Sequence, residues 1–520
     1  MSAPDQTAVD VEVGWGTTWP AIETFRELAA DRRVIPVVRR LLADDTTPVG
    51  LYRTLAGGRP GTFILESAES DGTWGRYSFV GVTARASLSV RDGRAAWSGD
   101  VPVGVPAEGD VLDVLAETLD VLRTPALPGL PPLTGGLVGA LGWDVVRHWE
   151  PTLPTKAPEE LDVPELTLLL ATDLAVVDHH DGSVWLIANA INFDDTDARV
   201  DEAHADAVAR LDAMQAQLLR PTDPGVAVLV EAPEPELRFR TARDEFEQQV
   251  RFGKEAIRDG EVFQVVISQR LDLDCEASPL DVYRVLRTIN PSPYMYYVQL
   301  QDPDGRDFAV VGSSPETLVK VSDGHVTTFP IAGSRPRGAT PEEDRALADE
   351  VLADPKERSE HIMLVDLSRN DLAKVCEPSS VEVVDFMTIN RFSHIMHITS
   401  TVVGRLRAGA TALQTLKATF PAGTLSGAPK PRAIALIDEV EPARRGIYGG
   451  TVGYFDFAGD MDMAIAIRTA LIRDGRASVQ AGGGIVADSV PALEYEESRN
   501  KAAAAVRAVQ IASRLRRAQA

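Results

Sequence analysis

Two pairs of glutamates stand at an interval that sets both members on one face of a helix. Glu357 and Glu360 lie three apart in "DPKERSEHIMLVDLSRNDLAKV", and Glu494 and Glu497 repeat the interval in "QAGGGIVADSVPALEYEESRNKA". Residues i and i+3 are neighbours on a helix surface. Two helices each offering such a pair suit a hard cation such as Mg2+, which takes one or two carboxylates, keeps waters and leaves room for substrate oxygens. A solvated acidic face paired with arginines has the same pattern, and spacing does not choose between the two. Gly482, Gly483 and Gly484 run just ahead of the second pair. Bare of side chains, they let backbone N–H groups approach an anion closely, although a tight turn between strands also uses glycine.

Four further stretches read as pocket walls. "VVGSSPETLVK" sets Gly312, Ser313 and Glu316 where a strand runs into a turn. "SHIMHITSTVVG" carries His397 in an apolar strand, and "FPAGTLSGAPK" offers Thr424 on a glycine loop. "RRGIYGGTVGYFD" offers Tyr448, and "MDMAIAIRTALI" offers Arg468. A guanidinium with apolar residues on both sides points to the core or to a pocket, and needs an anionic partner in either.

The elements that must position these groups are legible in outline. A helix is expected from about Lys356, an amphipathic one over Ala242–Asp259, and others over Ala107–Leu122 and Asp195–Leu219. Strand-like runs include "GTFILES", "LTLLLATDLAVVDHH", "SVWLIANAI" and "EVFQVVISQRLDL". Many strands follow one another without an intervening helix, which favours α+β or mixed α/β with large antiparallel sheets over a regular βαβ series. At 520 residues the chain exceeds one simple core, so two large units are expected. Residues 1–18 read as a flexible tail, 19–219 as an N-terminal domain, the proline-rich and acidic 220–237 as a linker, and 238–520 as a second domain ending in a basic helix through Arg517.

A net charge of −25 argues against nucleic acid or an anionic membrane as the main partner. An anionic small substrate is still admissible where a metal or local arginines reverse the sign. Cys275 and Cys376 are the only cysteines and lack CxxC spacing, so neither a disulfide framework nor a zinc cluster is expected and a reducing cytoplasm fits. The N-terminus has no signal-peptide pattern, and no apolar run approaches the ~18 residues of a membrane span. "GGLVGALGWD" lacks dinucleotide-binding spacing, and "GTLSGAPK" has its lysine after proline with no Ser or Thr following, unlike a phosphate loop.

Nine strings in order resemble the chorismate-utilising enzymes, in the branch of anthranilate synthase component I: "LESAE", "NPSPYMYY", "GSSPETLVK", "PIAGSRPRG", "DPKERSEHIMLVDLSRNDL", "GTLSGAPK", "YGGTVGY", "AIAIRTALI" and "AGGGIVADSVPALEYEESRNKA". The resemblance covers roughly residues 20–515 and implies two subdomains with mostly antiparallel sheets in a sandwich flanked by helices. It implies that ammonia adds to chorismate at C2 while the C4 hydroxyl leaves, and that pyruvate is then eliminated to give anthranilate. Carried over by motif, Glu360 and Glu497 would bind Mg2+ with Glu357 and Glu494 behind them. Glu316 would be the acid for the departing hydroxyl, His397 would assist elimination and Thr424 would orient the substrate. Tyr448, Arg468 and the Gly482–Gly484 amides would hold its carboxylates.

Two positions sort the family by chemistry. Relatives that use water carry a basic lysine where this chain has Gln264, and aminodeoxychorismate synthases commonly carry a nucleophilic lysine where it has Ala332. With neither lysine, ammonia is the expected nucleophile, and aminodeoxychorismate synthase is the alternative kept. Ser334 replaces the usual threonine of that motif without changing the class. No Cys–His pair suggests a glutaminase, so a separate amidotransferase subunit is expected to supply ammonia, in an assembly of two large and two small subunits. "LESAE" and "NPSPYMYY" resemble the tryptophan feedback site, which Glu66, Ser67, Asn290, Pro293, Tyr294 and Met295 would line.

Overall fold

The computed structural model describes residues 11–68, 75–221, 225–391 and 395–518; residues 1–10 of the expected tail, 222–224 of the expected linker and 519–520 lie outside them. The fold is α+β. Among the described residues one hydrogen-bonded network joins 23 strands, and every register between its named strands is antiparallel. The network crosses the expected domain boundary twice. Thr62–Glu66 pairs with Tyr294–Gln301, and Gly136–Leu141 pairs with Thr451–Asp456.

The strand Leu166–Asp178 shows why long apolar runs become strands here. All its residues are buried, yet its side chains alternate between layers. Leu169, Leu174 and Val176 join a cluster built almost wholly from strand residues, including Val138, Val298, Val310 and Leu471. Leu168 and Leu170 face one helix-bearing layer, and Ala175 and Val177 face another. A strand covered on both faces needs no polar face, so period-2 alternation vanishes from its sequence. This largely strand-built cluster is the filling between sheet faces, and helices close the outer sides.

Several boundaries differ from the expectations. Residues 11–18 are laid along the sheet: Gly16 N–H donates to Arg40 O at 2.8 Å, and Thr18–Trp19 pairs with Val38–Arg39. Arg40 fixes this stretch by stacking over Trp15 at 4.3 Å and Trp185 at 5.1 Å, a cation–π arrangement. Within the expected linker, Ala227–Leu229 pairs with Leu515–Arg517, because the final helix stops at Ala512 and the chain then extends. The "GGLVGALGWD" segment is the strand Gly136–Leu141 running into a single 3-10 stretch from Trp143. Among the described residues no helix is long and apolar enough to cross a membrane.

Candidate active site

The helix Pro491–Ala512 carries two adjacent stripes. Tyr495, Ser498, Ala502, Ala505, Val509 and Ala512 recur at three- and four-residue steps and are buried. One residue out of phase run Glu494, Glu497 and Lys501. Its small buried residues let the helix lie close to its neighbours, which turns the second stripe toward the strand Arg476–Ile485. Gly482, Gly483 and Gly484 lie inside that strand and pair with Ser268, Ile267 and Val266, so they form no turn. Each leaves space that something else fills. A Cβ on Gly483 would stand 3.0 Å from Glu494 Oε2 and 3.5 Å from Glu497 Oε1. On Gly484 it would strike Gln264 Nε2.

Lys501 is the hub. Its ammonium lies 2.7 Å from Glu497 Oε1 and 3.2 Å from the Gly482 carbonyl. Its own carbonyl accepts from Arg468 Nη1 at 2.8 Å. Arg468 has φ +53, a left-handed conformation that a side-chain-bearing residue holds at a strain of about 1–3 kcal/mol. The kink lies between strands Met461–Ile465 and Thr469–Arg473 and delivers the guanidinium to the site. Burial pulls the Arg468 pKa below its usual value, opposed by Tyr448, Glu497 and Glu316. Tyr448 is buried, and its hydroxyl meets the backbone of Gly482; burial raises its pKa.

The first glutamate pair comes from the helix Pro355–Ala373, whose cap, Asp354, accepts from Lys356 N at 2.9 Å. Glu357 lies 3.6 Å from Arg335 Nη1 and packs where a Cβ on Gly333 would be. Glu360 is half-buried. Burial raises its pKa, and the negative charges of Glu357 and Glu497 raise it further against Lys356 and Lys501. Burial likewise raises Glu494, with Glu497 adding to the shift and a hydrogen bond from Ser489 opposing it. The two distant helices therefore bring their carboxylates within electrostatic reach of one another. Glu497 is 51% exposed, on the open side of the group. Among the described residues no three His, Cys, Asp or Glu side chains are drawn up tightly enough to hold an ion by themselves.

Glu316 lies between strands Asp307–Ser314 and Thr317–Ser322, fixed by Ile465 N–H on its carbonyl at 3.0 Å. Thr424 Oγ1 donates to Glu316 Oε1 at 2.7 Å. Burial pushes the Glu316 carboxyl up to about 7, against the Thr424 hydrogen bond and the charges of Lys501 and Arg468. His397, in the strand Ile395–Arg405, holds Gly333 O at 3.0 Å through Nδ1, which places the ring proton there. Burial lowers its pKa, and Arg468 and Lys501 lower it further. The imidazole is therefore neutral near pH 7.

Gly312 and Ser313 do not share this open side. Gly312 pairs with Thr469 and lies against the Tyr296 ring. The Ser313 hydroxyl is buried and donates to Asn290 O at 2.6 Å, while Asn290 Nδ2 donates back at 2.5 Å. Ser313 N–H reaches Arg468 O at 3.2 Å. Asn290 thus faces Ser313, whereas Glu66, Ser67, Pro293, Tyr294 and Met295 line a separate cavity of about 120 Å³.

A sequence pattern described as chorismate binding enzyme matches residues 62–507. The chain belongs to that family. Among relatives, anthranilate synthase component 1 of Arthrobacter globiformis is 60% identical over 504 residues, 96% of this chain and 94% of the relative. The same component of Mycolicibacterium smegmatis is 56% identical over 494 residues, 95% and 94% of the two chains. The crystal structure of anthranilate synthase component I from Streptococcus pneumoniae superposes with a TM-score of 0.73 at 34% identity, covering 89% of this chain and 98% of that one. The menaquinone-specific isochorismate synthase of Escherichia coli shares the fold at 19% identity, with a TM-score of 0.65 over 94% and 99% of the chains.

As a chorismate-binding enzyme the chain has site members that the motifs left unread. Lys501 lies four residues after Glu497, the interval of a helical ion pair, and that spacing alone could have flagged it. Arg445 follows Glu441 at the same four-residue interval, but its other partners are remote in sequence. It is fully buried, bonds Glu441 through Nε and Nη2, and donates to Leu425 O and Val266 O, so it ties the Thr424 loop to the strand facing the glycines.

Proposed function

We propose that this chain aminates chorismate with ammonia and eliminates water and pyruvate to give anthranilate, as the large component of an anthranilate synthase. Relatives of that name at 55–60% identity over nearly the whole chain support the reading. The observation that carries it is the meeting at Lys501 of two carboxylate-bearing helices, the glycine strand and Arg468. Such a site has cationic donors for a dianion and an acid raised to about 7 for a poor leaving group.

The carboxylates fit a divalent cation: Glu360 and Glu494 are raised partly by neighbouring carboxylates, the signature of negative charge in want of a counter-ion. Glu360 and Glu497 would hold Mg2+, with Glu357 and Glu494 behind them, and the ion would offset the charge of the ring carboxylate. Arg468, Tyr448 and the Gly482–Gly484 backbone would bind and orient the carboxylates. Thr424 occupies Glu316 Oε1, leaving Oε2 to carry the proton given to the C4 hydroxyl oxygen. His397, neutral and anchored through Nδ1, presents Nε2 for the proton transfer of pyruvate elimination. Ala332 offers no amine for a covalent route to aminodeoxychorismate.

Ammonia would come from a separate glutamine amidotransferase, in an assembly of two large and two small subunits. Tryptophan would inhibit from the cavity at Glu66 and Ser67. The deciding experiment gives the purified chain chorismate, Mg2+ and ammonium and identifies the product. Fluorescent anthranilate with one pyruvate per turnover is expected. A non-aromatised amino product would transfer the chain to aminodeoxychorismate synthesis, and the absence of turnover would leave a ligand-binding regulator.

A further inference from the structure

Of the residues gathered around Lys501, Glu316 and Thr424 alone also line a second space, of about 50 Å³, on which His397, Arg468 and the glycines do not border. The helix Pro355–Ala373 connects the two. Its stripe Glu357, Glu360, Leu364, Leu367 and Asp371 begins at the carboxylate cluster and ends on this cavity. Roughly 15 Å³ of free space admits one water, so the cavity takes a few waters and no organic guest. Its walls carry the hydroxyls of Thr328, Ser368 and Thr424 and the carboxylate of Asp371, which Lys430 holds at 2.6 Å and Lys374 at 2.9 Å. Thr328 supplies the independent sign of a guest. It is 5% exposed, and among the described residues its Oγ1 has no hydrogen-bond partner. Buried hydroxyls are almost always satisfied, and an orphan in a polar cavity marks an ordered water.

We propose that this cavity is a water site serving Glu316, which takes up the water released in amination and returns a proton to the acid, with Thr328 as the residue that positions it. The proposal rests on the amination chemistry above. As the N–C2 bond forms, the two ring double bonds each shift by one position and the C4–O electron pair leaves with oxygen. Glu316 gives that oxygen its proton, water departs, and a carboxylate remains. The added nitrogen sheds one proton to solvent. One proton comes back to Glu316 through the cavity, so the sum is ammonia plus alcohol to amine plus water. The half-buried acid, beside Thr424 and within the fields of Arg468 and Lys501, borders this polar space directly. The size of the cavity also explains why it passes water and not substrate.

Thr328→Val removes the hydroxyl and keeps the shape. With chorismate, Mg2+ and ammonium, its kcat is expected to fall about tenfold, less than the roughly hundredfold or more that a proton-transfer group itself contributes, because Thr328 only positions the water. The chorismate KM should hold, and the solvent deuterium isotope effect on kcat should rise because reprotonation becomes slower than the steps it follows. Thr328→Ser restores the hydroxyl and should restore both quantities. Wild-type kcat and isotope effect in Thr328→Val would overturn the proposal. So would an equal loss in Thr328→Ser, which would assign the effect to packing, or a fall in kcat with an unchanged isotope effect. None of these outcomes touches the assignment of product, which fails only if the unmodified chain makes no anthranilate.

Discussion

The two regions that the family motifs single out are built on opposite electrostatic plans. Around Lys501, burial and the charge of Glu497 raise both Glu360 and Glu494, and Arg468 is held in a strained backbone conformation. In the cavity at Ser67 the charges are settled. Glu66 is buried and accepts from Arg287 Nε at 2.5 Å and from the Tyr283 hydroxyl. Asp462 accepts from the Tyr294 hydroxyl at 2.8 Å and lies 3.6 Å from Lys320 Nζ. Arg76, paired with Asp178 at 2.8 Å, and Ser67 are the cavity's other polar walls, and the rest are apolar or aromatic, with Phe79, Met295, Tyr296 and Tyr454 among them. An unbalanced site invites a dianion and a cation, whereas a balanced apolar one suits a neutral zwitterion with a large ring. On the function proposed above, one region changes the charge of its guest and the other only recognises it.

The largest expected effect breaks the unbalanced side. Glu360→Gln and Glu497→Gln keep shape and remove charge, and each is expected to lower anthranilate formation by roughly a thousandfold, on the scale of several kcal/mol of lost electrostatic stabilisation. Fluorescence of the product over a Mg2+ titration measures it. Wild-type activity persisting in excess chelator would place the carboxylates outside the chemistry. The balanced side should answer differently. Ser67→Leu fills part of the cavity, and the half-inhibitory tryptophan concentration, read against the variant's own uninhibited rate, is expected to rise more than tenfold. Unchanged inhibition would return "LESAE" to strand packing.

This contrast also marks what the sequence could disclose. Paired glutamates at i,i+3 announced a helix and a face, and Glu357, Glu360, Glu494 and Glu497 lie on helices at those positions. The tripled glycines announced a close approach but not its form. They lie in mid-strand because the neighbours that need the room, Glu494 above Gly483 and Gln264 beside Gly484, come from other elements. Ser313 reads as a pocket wall in "VVGSSPETLVK", yet its hydroxyl turns to Asn290, a partner 23 residues away that no local pattern names. Thr328 is silent for the same reason, and Arg445 shows locally only its four-residue interval to Glu441. A buried arginine shows its role only once Glu441, Leu425 and Val266 are seen around it, and an orphan hydroxyl exists only in three dimensions. The strand Leu166–Asp178 was recognisable as a strand, but its two covered faces erased the alternation that would have told which layer each residue joins.

The smallest effect tests whether the acid belongs to the unbalanced site, and its sign can be fixed beforehand. Glu316 must be protonated to release the C4 hydroxyl, so the part of kcat that depends on it is full at low pH and fades as pH rises through about 7. Thr424 donates to the carboxylate and favours the ionised form, which holds that midpoint down. Thr424→Val therefore does two things at once. It lowers kcat by loosening the acid, and it lets burial raise the Glu316 midpoint further, so the alkaline limb of the kcat profile should move to higher pH. Packing damage alone would lower the rate without moving that limb. A limb that stays put, or moves to lower pH, would mean that Glu316 is not the group titrating, and the acid would have to be sought elsewhere among the carboxylates that Lys501 holds together.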